Sequence, residues 1–120
     1  MTSKNDLGSL AFYCAPGALR SALRRGADPN EADPDTKVTP LMRLCEMHDH
    51  HVRERKRMFR YLVKAGASLV DTDANGATAW DYARSSASKG FKRFVKREYQ
   101  RILGRVPGRT MLRSEVPSDA

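Results

Sequence analysis

The residue types best suited to metal binding lie together in one short polar stretch of the chain. It reads His48-Asp49-His50-His51, and the thiol of Cys45 lies three positions before it. Imidazole and thiolate groups are ligands that zinc and nickel ions accept. Adjacent histidines in one loop rarely close a tetrahedral site unless a second segment adds ligands. We therefore predict a polar loop that holds no metal ion.

Residues suited to covalent catalysis are equally sparse. The chain has two cysteines, Cys14 and Cys45, which form neither a CxxC pair nor a disulfide framework and so favour a reducing, intracellular compartment. The sequence contains no Gly-rich phosphate loop, no paired-carboxylate motif and no Ser-His-Asp arrangement. We predict a protein that is not an enzyme and that has no cofactor and no small-molecule substrate.

The clearer functional signal is an excess of positive charge in the second half of the chain. The 22 Lys and Arg residues outnumber the 14 Asp and Glu residues, which gives a net charge of +8. Residues 53–64 hold six basic residues against Glu54, and residues 84–113 hold ten against Glu98. At helical spacing, many of these cations fall on one side of their helices. We define the basic face as Arg53, Arg57, Arg60, Lys64, Lys89, Arg93, Lys96, Arg97 and Arg101.

A basic surface of this kind favours an acidic partner, such as an acidic protein surface or the phosphates of RNA. The alternative interpretation is an ordinary solvated helix face that has no partner. The scarcity of compensating acids in these helices weighs against that alternative, so we predict that the basic face binds a partner.

The elements that position these residues are indicated by a repeat. GADPNEADPDTKVTPLMRLC (residues 26–45) and GASLVDTDANGATAWDYA (residues 66–83) both begin with Gly-Ala, continue through an Asp-rich turn and reach a Thr before an apolar run. Self-similarity of this kind is typical of proteins built from stacked structural units.

Each shared residue predicts a helix boundary. Thr39 and Thr78 have hydroxyls that can cap the first amides of a helix, and Pro40 suits the first helical position. Gly26 and Gly66 suit the left-handed conformation in which helices end. Apolar residues at helical spacing predict the buried helix sides: Leu19, Ala22 and Leu23, then Phe59, Leu62 and Val63, then Phe91, Phe94, Val95, Ile102 and Leu103.

With these features the chain resembles an ankyrin-repeat protein, whose unit is a β-turn finger and two antiparallel helices with a Thr-Pro-Leu-His signature. The signature reads TPLM at residues 39–42 and TAWD at residues 78–81, so both copies lack the His. The resemblance implies an all-α helix-turn-helix stack, an α-solenoid, over residues 1–103, with irregular units at about 7–27, 28–67 and 68–103. Residues 104–120 form an irregular basic tail outside the repeats, rich in Gly and Pro.

The resemblance also implies two interaction surfaces and the burial of two residues. In an ankyrin stack the turns project from one edge and the second helices form the convex back. It implies buried positions for Cys45 and Trp80, and it implies that the basic face lies on the back. We define the finger face, on the turns and first helices, as Asp33, Asp35, Arg43, Glu46, Asp71, Asp73 and Tyr82.

We accordingly predict a non-catalytic protein-protein interaction module, an accessory or scaffolding subunit of a larger assembly. One alternative is an RNA-contacting component of a ribonucleoprotein that uses the basic helices and tail. Another is an effector-type protein that captures a host factor. The sequence has no run of apolar residues long enough to span a membrane. A cytoplasmic location is favoured, and an organellar one stays as the alternative because residues 1–25 combine basic residues and serines with a single acid, Asp6.

Overall fold

The computed structural model describes residues 7–12, 15–46, 51–85 and 89–104. These residues form six helices and no strand, which confirms the predicted all-α fold class. The helices are α1 (Leu7–Phe12), α2 (Pro16–Arg24), α3 (Pro40–Cys45), α4 (Val52–Lys64), α5 (Ala79–Arg84) and α6 (Lys89–Leu103).

The helices are arranged in two layers. The short helices α1, α3 and α5 contact one another in chain order, and the longer helices α2, α4 and α6 do the same. Each short helix also packs against the longer helix that follows it. We call these the short-helix layer and the long-helix layer. The stretches 7–27, 28–67 and 68–103 each contribute one helix to each layer.

Two short helices begin at the predicted threonines. The Thr39 hydroxyl accepts a hydrogen bond from the N–H of Met42 at 3.2 Å, and the Thr78 hydroxyl accepts one from the N–H of Asp81 at 3.3 Å. In return, the Asp81 carboxylate accepts a 2.9 Å hydrogen bond from the N–H of Thr78. Pro40 occupies the first helical position of α3. These capping boxes confirm the predicted helix starts.

The preceding long helices end at the predicted glycines. Gly26 has φ +97° and Gly66 has φ +107°, a region that L-residues with a side chain rarely adopt. The N–H of Ala27 bonds to the carbonyl oxygen of Ala22, and the N–H of Ala67 bonds to that of Leu62. This five-residue span is the Schellman pattern, in which a glycine ends the helix and the last carbonyls are satisfied.

The turns between helices are organised by side-chain carboxylates. The Asp33 carboxylate accepts hydrogen bonds from the backbone N–H groups of Asp35 and Thr36, at 2.8 and 3.0 Å. The N–H of Ala74 bonds to the carbonyl oxygen of Thr36 at 2.8 Å and so connects the two Asp-rich turns. A second link comes from Asn30, whose side chain bonds to the backbone at Gly66 and Ser68. Consecutive units are therefore joined by hydrogen bonds as well as by helix packing.

Both layers contribute to the buried core. The rings of Phe59 and Phe94 meet edge to face, with centroids 5.4 Å apart, and join α4 to α6. Ile102 and Leu103 are 39% and 40% exposed, so the prediction that they extend the apolar side of the last helix is wrong. The fully buried large apolar side chains are Leu7, Leu19, Leu41, Met42, Leu44, Met58, Phe59, Leu62, Phe91, Val95 and Tyr99.

Over the part of the chain that the structure describes, no helix combines the length and the apolar character needed to cross a lipid bilayer.

Candidate functional site

The basic face is carried by α4 and α6, which are neighbours in the long-helix layer. Each helix buries an apolar side, including Leu62 in α4 and Val95 in α6. Helical spacing turns the opposite side toward solvent. All nine residues of the basic face are exposed: Arg53, Arg57, Arg60, Lys64, Lys89, Arg93, Lys96, Arg97 and Arg101.

Ion pairing between described residues compensates the basic face at one position. Arg101 forms a 2.6 Å ion pair with Glu98, and this hydrogen-bonded contact raises the pKa of the guanidinium. The other ion pairs of the described chain, Arg43–Glu46 at 3.6 Å and Arg84–Asp81 at 3.3 Å, lie outside the basic face. Apart from Arg101, the face therefore presents cations that no described carboxylate neutralises.

Arg55 is a cation of α4 that does not belong to this face. It is one of the six basic residues counted in residues 53–64. Its side chain is 0% exposed, and its guanidinium carbon lies 4.3 Å from the ring centroid of Phe91. The spacing carried a signal, because Arg55 precedes the buried Phe59 and Leu62 by four and seven positions. It therefore lies on the core side of the helix.

The finger face contains both exposed and engaged groups. Asp35 and Asp71 are exposed, and Arg43 and Glu46 pair with each other at the end of α3. The carboxylate of Asp33 is engaged by its own turn, and the hydrogen bonds from two backbone N–H groups hold its pKa below the ordinary value. The structure places these residues on consecutive turns and on the short-helix layer.

Asp73 differs from the other acids of the finger face because it is 8% exposed. Its carboxylate accepts hydrogen bonds from the Tyr82 hydroxyl at 2.5 Å and from the N–H groups of Asn75 and Ala77. Burial acts to raise its pKa, but these hydrogen bonds outweigh burial and lower it. Asp73 is therefore largely committed to its own turn, and its role in partner binding stays a prediction. It organises the turn and positions Tyr82.

Trp80 is half-buried, so the prediction that it is a buried core residue is only partly right. Its indole contacts the ring of Tyr99, with centroids 6.2 Å apart, and it also lines a cleft of about 500 Å³. The other lining residues are Arg84 at the end of α5 and four cations of α6: Lys89, Lys92, Arg93 and Lys96. We call this the Trp80 cleft. The sequence did not reveal Arg84 and Lys92 as parts of a site, because α5 and α6 converge only in the folded chain.

A second basic cleft, of about 290 Å³, lies between α2 and α4. Its aromatic residue, Tyr61, is already engaged by the protein itself. The Arg20 guanidinium carbon lies 5.5 Å from the ring centroid, and Arg57 donates a 3.3 Å hydrogen bond to the hydroxyl. That hydrogen bond lowers the pKa of Tyr61. Leu23, Arg24, Lys64 and Ala65 complete the lining.

Groups that could perform chemistry are few among the described residues. Cys45 is fully buried, as the resemblance implied, and burial raises the pKa of its thiol, which disfavours the reactive thiolate. Within the described ranges, no three His, Cys, Asp or Glu side chains are grouped to hold a metal ion. Cys14, residues 48–50 of the histidine cluster and residues 105–120 of the tail lie outside the described residues. The metal prediction for that cluster stays a prediction.

Comparison with known proteins adds no assignment: no known protein family matches the chain, and no curated protein matches its sequence. Function is therefore inferred from the surfaces of the molecule itself.

Proposed function

We propose that the chain is a non-catalytic ankyrin-type repeat module, an accessory or scaffolding subunit that binds an acidic protein partner through its basic face. The repeat part of this proposal is supported by paired local structures. Gly26 and Gly66, both left-handed, end the long helices α2 and α4. Thr39 and Thr78 cap the short helices α3 and α5 that follow them. The Ala74–Thr36 hydrogen bond connects the turns between them. Both copies lack the His of the ankyrin signature, and the second copy, TAWD at residues 78–81, also lacks its Pro and Leu.

The observation that carries the binding function is the uncompensated charge of α4 and α6. Eight of the nine exposed cations have no ion-pair partner among the described carboxylates, since only Arg101 is paired. The acids Asp35 and Asp71 are exposed on the turns instead. A partner with a complementary acidic surface gains attraction along two neighbouring helices. Such complementarity favours fast and specific association.

An RNA partner is the second candidate, and the Trp80 cleft is the observation that favours it. Binding to a polynucleotide would release counterions. The logarithm of the binding constant would therefore fall steeply and linearly with the logarithm of the salt concentration. An acidic protein of ordinary interface size would show a shallower dependence, because fewer charges are paired and apolar contacts contribute.

The test is a quantitative pull-down with mass spectrometry that uses the folded chain and a charge-reversed variant of α4, Arg53→Glu/Arg57→Glu/Arg60→Glu. The matched control is Arg24→Glu/Arg25→Glu/Lys37→Glu, which changes the net charge equally at exposed positions outside the basic face. We expect the α4 variant to lose its protein partner and the control to keep it. Full retention of the partner by the α4 variant would contradict the proposal. Loss caused by Asp35→Lys/Asp71→Lys alone would move the contact to the finger face.

A further inference from the structure

The Trp80 cleft combines a half-buried indole with five cations from two helices. Arg84 ends α5, while Lys89, Lys92, Arg93 and Lys96 follow one another along the first turns of α6. The cleft volume of about 500 Å³ is in the range of small-ligand sites, about 300–1,000 Å³. The first turn of α6 contains no acidic residue.

Asp81, the acid nearest to Arg84 in the chain, is committed to the fold. Asp81 accepts hydrogen bonds from the N–H and the hydroxyl of Thr78, and its other oxygen accepts one from Nε of Arg84 at 3.3 Å. The Asp81 side chain is 9% exposed. It orients Arg84 toward the cleft wall but leaves the lysines and Arg93 without a described counter-charge. The cleft therefore favours an anionic ligand.

The indole gives this anion site a second requirement. Trp80 is held in place because its backbone N–H donates a 3.1 Å hydrogen bond to the Tyr99 hydroxyl and its ring contacts the Tyr99 ring. No cation of the described chain lies over the indole, whereas in the other basic cleft Arg20 already lies over Tyr61. A fixed aromatic surface beside several cations suits a ligand that has both a flat ring and phosphate groups.

We propose that the Trp80 cleft binds a nucleoside phosphate unit, with the base against the Trp80 indole and the phosphates held by Lys89, Lys92, Arg93 and Lys96. The unit is either one nucleotide of a single strand or a free nucleotide. Base stacking on aromatic side chains together with a positive groove is how proteins hold single strands with little sequence preference. The cleft shares Lys89, Arg93 and Lys96 with the basic face, but the proposal does not require an acidic protein docked on α4.

Trp80 is the only tryptophan of the chain, so fluorescence excited selectively at tryptophan reports this cleft alone. The folded protein is titrated with a short oligouridylate, with UTP, and with inorganic tripolyphosphate, which has the phosphates without a base. We expect saturable quenching by the oligouridylate, UTP or both. Quenching by the strand alone identifies a single strand as the source, and equal quenching by UTP identifies a free nucleotide.

The matched variants separate a site from general charge attraction. Lys92→Glu/Arg93→Glu should weaken binding by about 10-fold or more at low salt, whereas Arg24→Glu/Arg25→Glu, with the same change in net charge, should leave it within about 3-fold. Replacing the ring by Trp80→Leu should weaken binding of a labelled oligouridylate, followed by anisotropy, by about 5-fold or more, and Trp80→Tyr should restore part of the loss. Circular dichroism checks that each variant is folded.

Three results would overturn the proposal. One is the absence of saturable quenching with both the strand and UTP. Another is an equal loss of binding in the two charge-reversed variants. The third is displacement of the nucleotide by tripolyphosphate with equal affinity, because the base would then contribute nothing. All of these variants keep the α4 cations, so the outcome is independent of the pull-down on α4.

Discussion

The hydroxyl of Tyr99 accepts a 3.1 Å hydrogen bond from the backbone N–H of Trp80 and donates a 2.7 Å hydrogen bond to the carbonyl oxygen of Leu69. The first amides of a helix have no partner within that helix. In α5 the Thr78 side chain satisfies the N–H of Asp81, and Tyr99 satisfies the N–H of Trp80. A residue of α6 thus completes the N-terminus of the preceding helix and fixes the turn before it.

We expect Tyr99→Phe to lower the free energy of unfolding by about 1–3 kcal/mol, because the half-buried N–H of Trp80 and the buried carbonyl of Leu69 lose a hydrogen-bond partner together. Urea denaturation followed by circular dichroism measures the loss. Tyr61→Phe is the matched control, since the Tyr61 hydroxyl accepts its 3.3 Å hydrogen bond from the exposed Arg57. It should stay within about 0.5 kcal/mol of the wild type. Equal losses in the two variants would contradict the role given to Tyr99.

The buried stacking of Arg55 on Phe91 leads to a second prediction. Arg55→Ala should destabilise the fold by about 2 kcal/mol or more, because it leaves a cavity at a 0% exposed position and removes a cation–π contact. Arg55→Lys should recover only part of the loss, since an ammonium group does not stack as a planar guanidinium does. Thermal or urea unfolding of Arg53→Ala, two residues away and exposed, is the comparison and should show little change. An equally small loss of stability at both positions would contradict the burial of Arg55.

The local features of this fold could be predicted from the sequence, because they are decided within a few residues. Thr39 and Thr78 cap the turn that directly follows them, and Gly26 and Gly66 end the helices that directly precede them. Interactions between residues only a few positions apart can be recognised in a single stretch of sequence.

The features that could not be predicted depend on how distant helices meet. Spacing places Arg55 on the core side of α4, but only the packing of α4 against α6 brings its guanidinium against the ring of Phe91. Tyr99 finds the N–H of Trp80 nineteen positions away, and the Trp80 cleft exists only where α5 and α6 converge. Helical spacing predicts on which side of its helix each exposed cation lies. The cleft could not be predicted in this way, because it depends on how α5 and α6 are placed relative to each other.

The left-handed glycines allow a third prediction with an internal comparison. Gly66 has φ +107° and open space where a Cβ would lie, so Gly66→Val should destabilise by about 1 kcal/mol or more through backbone strain alone. Gly90 also faces open space but is part of α6, where Gly90→Ala should raise stability by up to about 1 kcal/mol. Melting temperatures of the two variants should therefore move in opposite directions. A rise at Gly66 would show that this helix ends in another way.

The engaged carboxylate of Asp73 predicts a pH dependence. Its pKa is lowered in the folded chain, so it contributes stability above its ordinary pKa, near 4, and this contribution is lost as the pH falls through the lower folded value. Asp73→Asn should lose about 1 kcal/mol at neutral pH and approach the wild type in acid. Urea unfolding at pH 7 and at about pH 3 measures both differences. Asp71→Asn changes an exposed residue of the same turn and should show neither the loss of stability at pH 7 nor its pH dependence. If Asp73→Asn lowers stability equally at both pH values, the effect comes from the altered shape of the side chain and not from its charge.

The basic face should itself weaken the fold, and this effect is measurable without any partner. Arg53, Arg57, Arg60 and Lys64 are like charges at the spacing of three and four positions that makes neighbours on a helix. Salt screens such repulsion, so the free energy of unfolding of the isolated chain should rise as KCl increases from about 0.02 to about 0.3 M. In Arg53→Glu/Arg57→Glu/Arg60→Glu part of the repulsion becomes attraction, and the salt dependence should flatten or reverse.

Other effects of salt act on both proteins and cancel in the comparison. The equally charged control, Arg24→Glu/Arg25→Glu/Lys37→Glu, should flatten the dependence less, because those cations are not spaced along one helix face with α6 beside them. If wild type and α4 variant respond alike, the cations of α4 are too well solvated to repel one another. A face that binds an acidic partner is expected to destabilise the isolated chain through charge repulsion. The folded state should become more stable when the charges of this face are neutralised.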